Sequence, residues 1–104
     1  MRNKHIHIDH RKIAIFCKTH NIKKLSLFGS VLSDRFNDSS DIDILIEFKN
    51  FEDTPGLFEF IAIQEELSHM FGGRKIDLVT IGALRDHLRK EIIDSAEVQY
   101  EEAA

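Results

Sequence analysis

Residues 25–48, LSLFGSVLSDRFNDSSDIDILIEF, constrain the fold more than any other part of the chain. An apolar run, Leu25, Leu27 and Phe28, stops at Gly29-Ser30; ten residues later, Asp41-Ile42-Asp43 opens a second run through Ile44, Leu45, Ile46 and Phe48. The first run is too short for a helix and ends on glycine, so it reads as a strand handing the chain to a tight turn. The second is rich in β-branched and aromatic residues and nearly unbroken, as suits a strand covered on both faces. Both strands are expected to be central. Side chains two apart on a strand point the same way, so Asp41 and Asp43 should project together from the start of the second strand. Two carboxylates about 6 Å apart repel by about 3 kcal/mol at an effective dielectric of about 20. A hard divalent cation removes that repulsion, and Mg²⁺ accepts few protein carboxylates because it fills its other positions with water and phosphate oxygens. Gly29-Ser30 allows close backbone approach and the start of a short helix whose N–H groups face an anion. The pairing points to metal-bound phosphate. For Gly29 and Asp41 to share such a ligand, the two strands must run antiparallel.

The rest of the chain is read around that pair. Asp9 is the expected N-cap of a helix that buries Ile13, Phe16 and Cys17 and ends near His20-Asn21, with Lys18, Lys23 and Lys24 around its C-terminus. His5-Ile6-His7-Ile8-Asp9-His10 reads as an exposed arm leading into it rather than as a metal site. Residues 30–35 have room for one or two helical turns, followed by a polar loop, Asn37-Asp38-Ser39-Ser40. Thr54-Pro55 supplies an N-cap and a first-turn proline for an amphipathic helix. Its stripe Leu57, Phe60, Ile61, Leu67 and Phe71 is expected on the sheet. Phe58, Ile63 and Met70 fall off that stripe and either widen the core contact or leave an apolar patch. Gly72-Gly73 stops the helix before a third strand at residues 76–80. Strand, helix, strand makes a right-handed crossover with strands two and three parallel, which brings Asp77 to the Asp41 end. Leu84, Leu88, Ile92 and Ile93 outline a last helix with a solvated His87, and Val98-Gln99-Tyr100 a short edge strand before a loose acidic tail. The fold class that follows is α/β, of the α+β kind: a small mixed β-sheet with helices packed on it.

Gly-Ser, ten residues, then Asp-x-Asp, with apolar strands on either side and a later carboxylate in Lys75-Ile76-Asp77-Leu78-Val79, resembles the signature of the nucleotidyltransferases related to DNA polymerase beta, and in particular the minimal nucleotidyltransferases. The resemblance spans residues 25–88. It implies the polymerase beta-like palm fold over one domain, residues 1–104. It further implies that Asp41, Asp43 and Asp77 are the catalytic carboxylates and the ligands of Mg²⁺, expected as two ions. Asp77 is also a candidate general base. Gly29 and Ser30 would hold the nucleoside triphosphate. The family often carries basic residues just after Gly-Ser, whereas this chain has Val31, Leu32 and Ser33. The first cation is Arg35, placed with the nucleotide-binding residues; Arg74 and Lys75 beside Asp77 are the other candidates for neutralising the triphosphate. The implied reaction is transfer of AMP from ATP to a hydroxyl. Small members of the family are antitoxins paired with a HEPN-domain toxin ribonuclease, which they can silence by adding AMP to a tyrosine. The implied partner is such a HEPN toxin. The rival reading is a catalytically weak or inactive nucleotide-binding antitoxin that neutralises its partner by forming a complex. An antibiotic-modifying nucleotidyltransferase ranks below both, since those enzymes usually carry a second domain for the drug.

Composition narrows the acceptor. A net charge of −4 offers no basic stripe for phosphate backbones, so long nucleic acid is not an expected substrate and a protein or small molecule fits better. No apolar run approaches a membrane span, and the first residues lack the apolar segment of a signal peptide, so the expected location is the cytoplasm. Cys17, the single cysteine, is expected to be a buried thiol. Nucleotide preference and self-association are left open by the sequence.

Overall fold

The computed structural model describes residues 5–103. Along the chain run α1 (His10–Thr19), β1 (Ile22–Phe28), a 3-10 turn (Gly29–Leu32), β2 (Ile42–Phe48), a second 3-10 turn (Phe51–Asp53), α2 (Leu57–Met70), β3 (Ile76–Thr80), a third 3-10 turn (Ile81–Ala83), α3 (Asp86–Ser95) and β4 (Glu97–Glu101). The strands form one mixed sheet in the order β3-β2-β1-β4, with β2 and β3 parallel and β1 antiparallel to both of its neighbours. This is the expected α/β arrangement, with β1 and β2 in the centre.

The register sorts the side chains into two faces. Leu25 pairs with Ile46, Leu27 with Ile44 and Ile44 with Leu78, while Ile42 pairs with Ile76. These residues share a face and are buried with Ile13, Phe16 and Cys17 of α1 and Ile63 and Leu67 of α2. Each buried Ile or Leu contributes roughly 1.5–3 kcal/mol, so this layer fixes the strands against one another. The opposite face carries Ser26, Leu45 and Val79 at one level and Phe28, Asp43 and Asp77 at the next. Over the first of these levels, Ile93 of α3 and Val98 of β4 flank Ser26 and Leu45. No residue of α3 is buried, and at the acidic level Phe28 and Asp43 are half-buried while Asp77 is exposed.

Several local expectations are corrected. The side chain of Asp9 caps α1 by accepting from the N–H groups of Arg11 and Lys12, as its position suggested. Thr54-Pro55 does not start α2: Thr54 closes the preceding 3-10 turn, its N–H donating to Phe51 O at 3.1 Å, and Gly56 is the N-cap. The buried side of α2 is Ile63 and Leu67 with Phe60, Met70 and Phe71 partly buried, whereas Leu57 is 70% and Ile61 43% exposed. Apolar residues surround the first half of this helix, so spacing alone admits either face. The choice is made by Gln64 Nε2 donating to Ile76 O and Ser68 Oγ donating to Arg74 O, both at 2.6 Å, which turn the Ile63–Leu67 side toward β3. The one or two helical turns allowed after β1 take the form of a single 3-10 turn that begins at Gly29 itself, whereas Leu84 precedes α3 rather than opening it. The arm before α1 is less free than expected, since Ile6 and Ile8 pack against the core. The acidic tail is likewise held: Glu101 lies 3.6 Å from Lys24, Glu102 2.9 Å from Lys49, and the Glu102 N–H donates to Lys23 O. Residues 1–4, on which the reading of a leader falls, lie outside the described residues.

Candidate active site

Because β2 and β3 are parallel and in register, Asp43 stands directly opposite Asp77, and Phe28, the last residue of β1, stands opposite Asp43. The two carboxylates are therefore on one face and within hydrogen-bonding reach of each other. Asp43 is partly buried and Asp77 exposed. Burial, and then the neighbouring Asp77 charge, push the Asp43 carboxyl up to about 6; the Ser30 N–H, which donates to it, pulls the other way, and Asp41 adds a smaller upward push.

Gly29 lets the turn after β1 close onto the Asp43 carboxylate. Its φ of +73° lies in the left-handed region, and a Cβ there would collide with Oδ2 of Asp43 and come within 3.1 Å of Cγ. No side chain fits between the turn and the carboxylate. Asp41 lies one residue before β2 rather than in it, with the ammonium of the exposed Lys75 3.9 Å from its Oδ2. The structure thus brings Asp43 and Asp77 together beside Gly29 and Ser30 and leaves Asp41 at their margin, facing Lys75. Among the described residues, no three His, Cys, Asp or Glu side chains are gathered closely enough to hold a metal on their own.

The donor set nevertheless suits a hard cation. Neither Asp43 nor Asp77 has an ion-pair partner among the described residues, so their contact leaves negative charge uncompensated. Mg²⁺ takes one or two carboxylates and completes its shell with water and phosphate oxygens, which fits a two-carboxylate site with a third close by.

The missing cations after Gly-Ser have a structural cause. Val31 and Leu32 are 0% and 5% exposed in the core, so those positions cannot present a charged head to the acidic end. Arg35 is exposed, its backbone N–H donating to Ser33 Oγ. Arg74, expected to be free for a triphosphate, is engaged elsewhere. Its guanidinium lies 4.5 Å from the centre of the Phe36 ring, donates to Asn37 O at 3.3 Å and Ser40 O at 3.0 Å, and sits 3.7 Å from Asp38. Sequence reasoning missed this clamp because its partners lie more than thirty residues upstream, with no local pattern linking them. At the other end of β2 from Asp43, a cleft of about 460 Å³ is lined by Phe48, Phe51, Thr54, Thr80 and Ile81, among others.

The sheet order and its acidic, glycine-cornered end together define the nucleotidyltransferase class of fold. Residues 11–103 match the family model "Polymerase beta, Nucleotidyltransferase", and the chain belongs to that family. It is 34% identical over 85 residues to a protein of Methanocaldococcus jannaschii provisionally named a protein adenylyltransferase, covering 82% of this chain and 81% of that one. To protein adenylyltransferase MntA of Thermococcus cleftensis it is 32% identical over 72 residues, 69% of each chain. Its fold is similar to a chain in a toxin–antitoxin crystal structure with AMP-PNP, at TM-score 0.72 and 18% identity, covering 91% of this chain and 75% of that one. It also resembles a chain in the complex of a tri-AMPylated HEPN toxin with its MNT antitoxin from Shewanella oneidensis, at TM-score 0.64 and 18% identity, over 89% of this chain and 70% of that one.

Proposed function

We propose that this chain is a Mg²⁺-dependent protein adenylyltransferase that moves AMP from ATP to a hydroxyl of a HEPN-domain toxin, acting in the cytoplasm as its antitoxin, with residues 1–104 as one minimal nucleotidyltransferase domain. The observation that carries this reading is the same-face contact of Asp43 with Asp77 beside Gly29. The names of the relatives support protein as the acceptor. No helix among the described residues is long and apolar enough to cross a membrane.

In this reading, Asp43 and Asp77, joined by Asp41, hold Mg²⁺. Bound there, the ion would neutralise phosphate charge and lower the pKa of the acceptor hydroxyl. Gly29 leaves room for the triphosphate at the corner, and the Ser30 side chain meets its terminal phosphates. Arg35, exposed, and Lys75, exposed beside the Asp41 carboxylate at 3.9 Å, are the cations placed to approach it, since Arg74 is occupied by the loop. As the acceptor oxygen bonds to the α-phosphorus, the bond to the β-phosphate oxygen breaks and pyrophosphate leaves. Asp77, the more exposed of the pair, takes the hydroxyl proton. The open face above the pair suits an acceptor as large as a protein.

The test is incubation with ATP, Mg²⁺ and a HEPN-domain protein encoded beside this chain, followed by intact mass measurement. Gain of AMP units by the partner, lost with Asp43→Asn, is the expected result. The burial of Val31 and Leu32 favours one rival, an antitoxin that acts by contact, because it leaves the residues next to Ser30 without positive charge. Neutralisation of the partner's ribonuclease with no mass gain would select that rival.

A further inference from the structure

We propose that Arg74 is a positioning residue for the acidic end: its guanidinium fixes residues 36–40, the segment that delivers Asp41 to Asp43. This rests on the reading of Asp41, Asp43 and Asp77 as the metal–nucleotide carboxylates.

The segment has bonds of its own. Ser40 N–H donates to Asn37 O at 3.0 Å, Asn37 N–H to Ser40 Oγ at 3.0 Å, and Ser39 N–H to Asn37 Oδ1 at 2.9 Å. These close the turn on itself without tying it to β3. Arg74 supplies that tie. It stands two residues before β3, its carbonyl is held by Ser68 Oγ on the last turn of α2, and its guanidinium donates to the carbonyls of both Asn37 and Ser40. The same group stacks on Phe36, which packs against the core and whose ring also lies beside that of His5, 5.2 Å between centroids. The next backbone link, Ile42 N–H to Lys75 O at 3.0 Å, begins the β2–β3 pairing, so Asp41 lies between the clamp and the first rung of the ladder. Nη1 donates to both carbonyls while Nη2 faces Asp38 and the guanidinium plane stacks on Phe36, a combination that lysine, whose ammonium is a compact point charge, cannot reproduce in full. Arg74 therefore acts on the backbone that leads to Asp41, setting where its carboxylate falls relative to the Asp43–Asp77 pair, while Lys75 faces that carboxylate directly at 3.9 Å.

The experiment compares the full chain with Arg74→Lys and Arg74→Met, the latter keeping an apolar stem on Phe36. In metal-free buffer, amide exchange of residues 37–41 should speed by about tenfold or more in both variants, while amides of the β1–β2 core stay as in the parent. Titration with Mg²⁺ and a non-hydrolysable ATP analogue should show several-fold weaker Mg²⁺ dependence, with Arg74→Lys no better than partly restored. Unchanged exchange at 37–41 in both variants, or unchanged Mg²⁺ dependence despite faster exchange, would overturn the proposal. Asp43→Asn run alongside separates the two levels. If it abolishes metal–nucleotide binding while the Arg74 variants behave as the parent, the clamp is wrong and the site stands; if it leaves binding intact, the site reading fails and the exchange data still judge the clamp.

Discussion

A methyl group on the α-carbon of Gly29 would occupy the place of the Asp43 Oδ2. The turn after β1 and the carboxylate of β2 are thus packed as one unit, and Gly29→Ala must strain the backbone and displace the acid at once. The left-handed φ alone costs about 1–2 kcal/mol for a residue with a Cβ. Chemical unfolding should report a loss of that size, and AMP transfer should fall by more than the tenfold that a 1.4 kcal/mol effect represents. A variant that keeps full activity would show that the contact with Asp43 has no part in the chemistry.

The two sides of α2 offer a direct comparison. Leu67 is fully buried and Leu57 70% exposed, although both belong to the same apolar stripe by spacing. Leu67→Ala should cost about 2–5 kcal/mol in denaturant unfolding, and Leu57→Ala should stay within about 0.5 kcal/mol. Equal losses would mean that α2 packs with a different face inward.

That helix marks where the sequence stops being legible. The parallel β2–β3 crossover that brings Asp77 to the acidic end follows from short-range pattern, a helix of crossover length between two apolar strands, while the antiparallel β1–β2 pair follows from requiring Gly29 and Asp41 to share a ligand. The inward face of α2 does not, because Leu57, Phe58, Ile61 and Ile63 give it apolar side chains in most directions and the decision rests with Gln64 and Ser68 bonding across to the Arg74–Ile76 segment. Thr54-Pro55 has the form of a helix start, but a neighbouring 3-10 turn takes up the threonine. At the acidic end the carboxylates were visible as a spacing, while the commitment of Arg74 to Phe36, Asn37 and Ser40 depends on a fold-dependent approach of distant segments. The same holds for Val31 and Leu32: their lack of charge reads as a defect of the motif until their burial makes them core residues.

Cys17 tests the core beneath the sheet. It is 0% exposed, and burial pushes its thiol up to about 12. A folded value above the unfolded 9.0 means the native state favours the neutral thiol, so this residue leaves stability unchanged below pH 9 and lowers it as pH rises from there toward 12. At pH 8 the native protein should therefore resist thiol alkylation, and the denatured protein should react at the rate of a free cysteine. Rapid labelling of the native protein would show that α1 does not cover β1 as described.

Asp43 is the residue on which the account depends, and Asp43→Asn separates its two consequences. Replacing a partly buried carboxylate that faces Asp77 with an amide relieves like-charge repulsion, so the variant should melt at or slightly above the parent in metal-free buffer, with a gain on the order of 0.5 kcal/mol after solvent screening. The decisive measurement is calorimetric titration of both proteins with a non-hydrolysable ATP analogue, with and without Mg²⁺. The parent should bind the analogue in a Mg²⁺-dependent manner and Asp43→Asn should lose that dependence while remaining folded; equal Mg²⁺-dependent binding by the two proteins would contradict the assignment of this acidic corner as the nucleotide site.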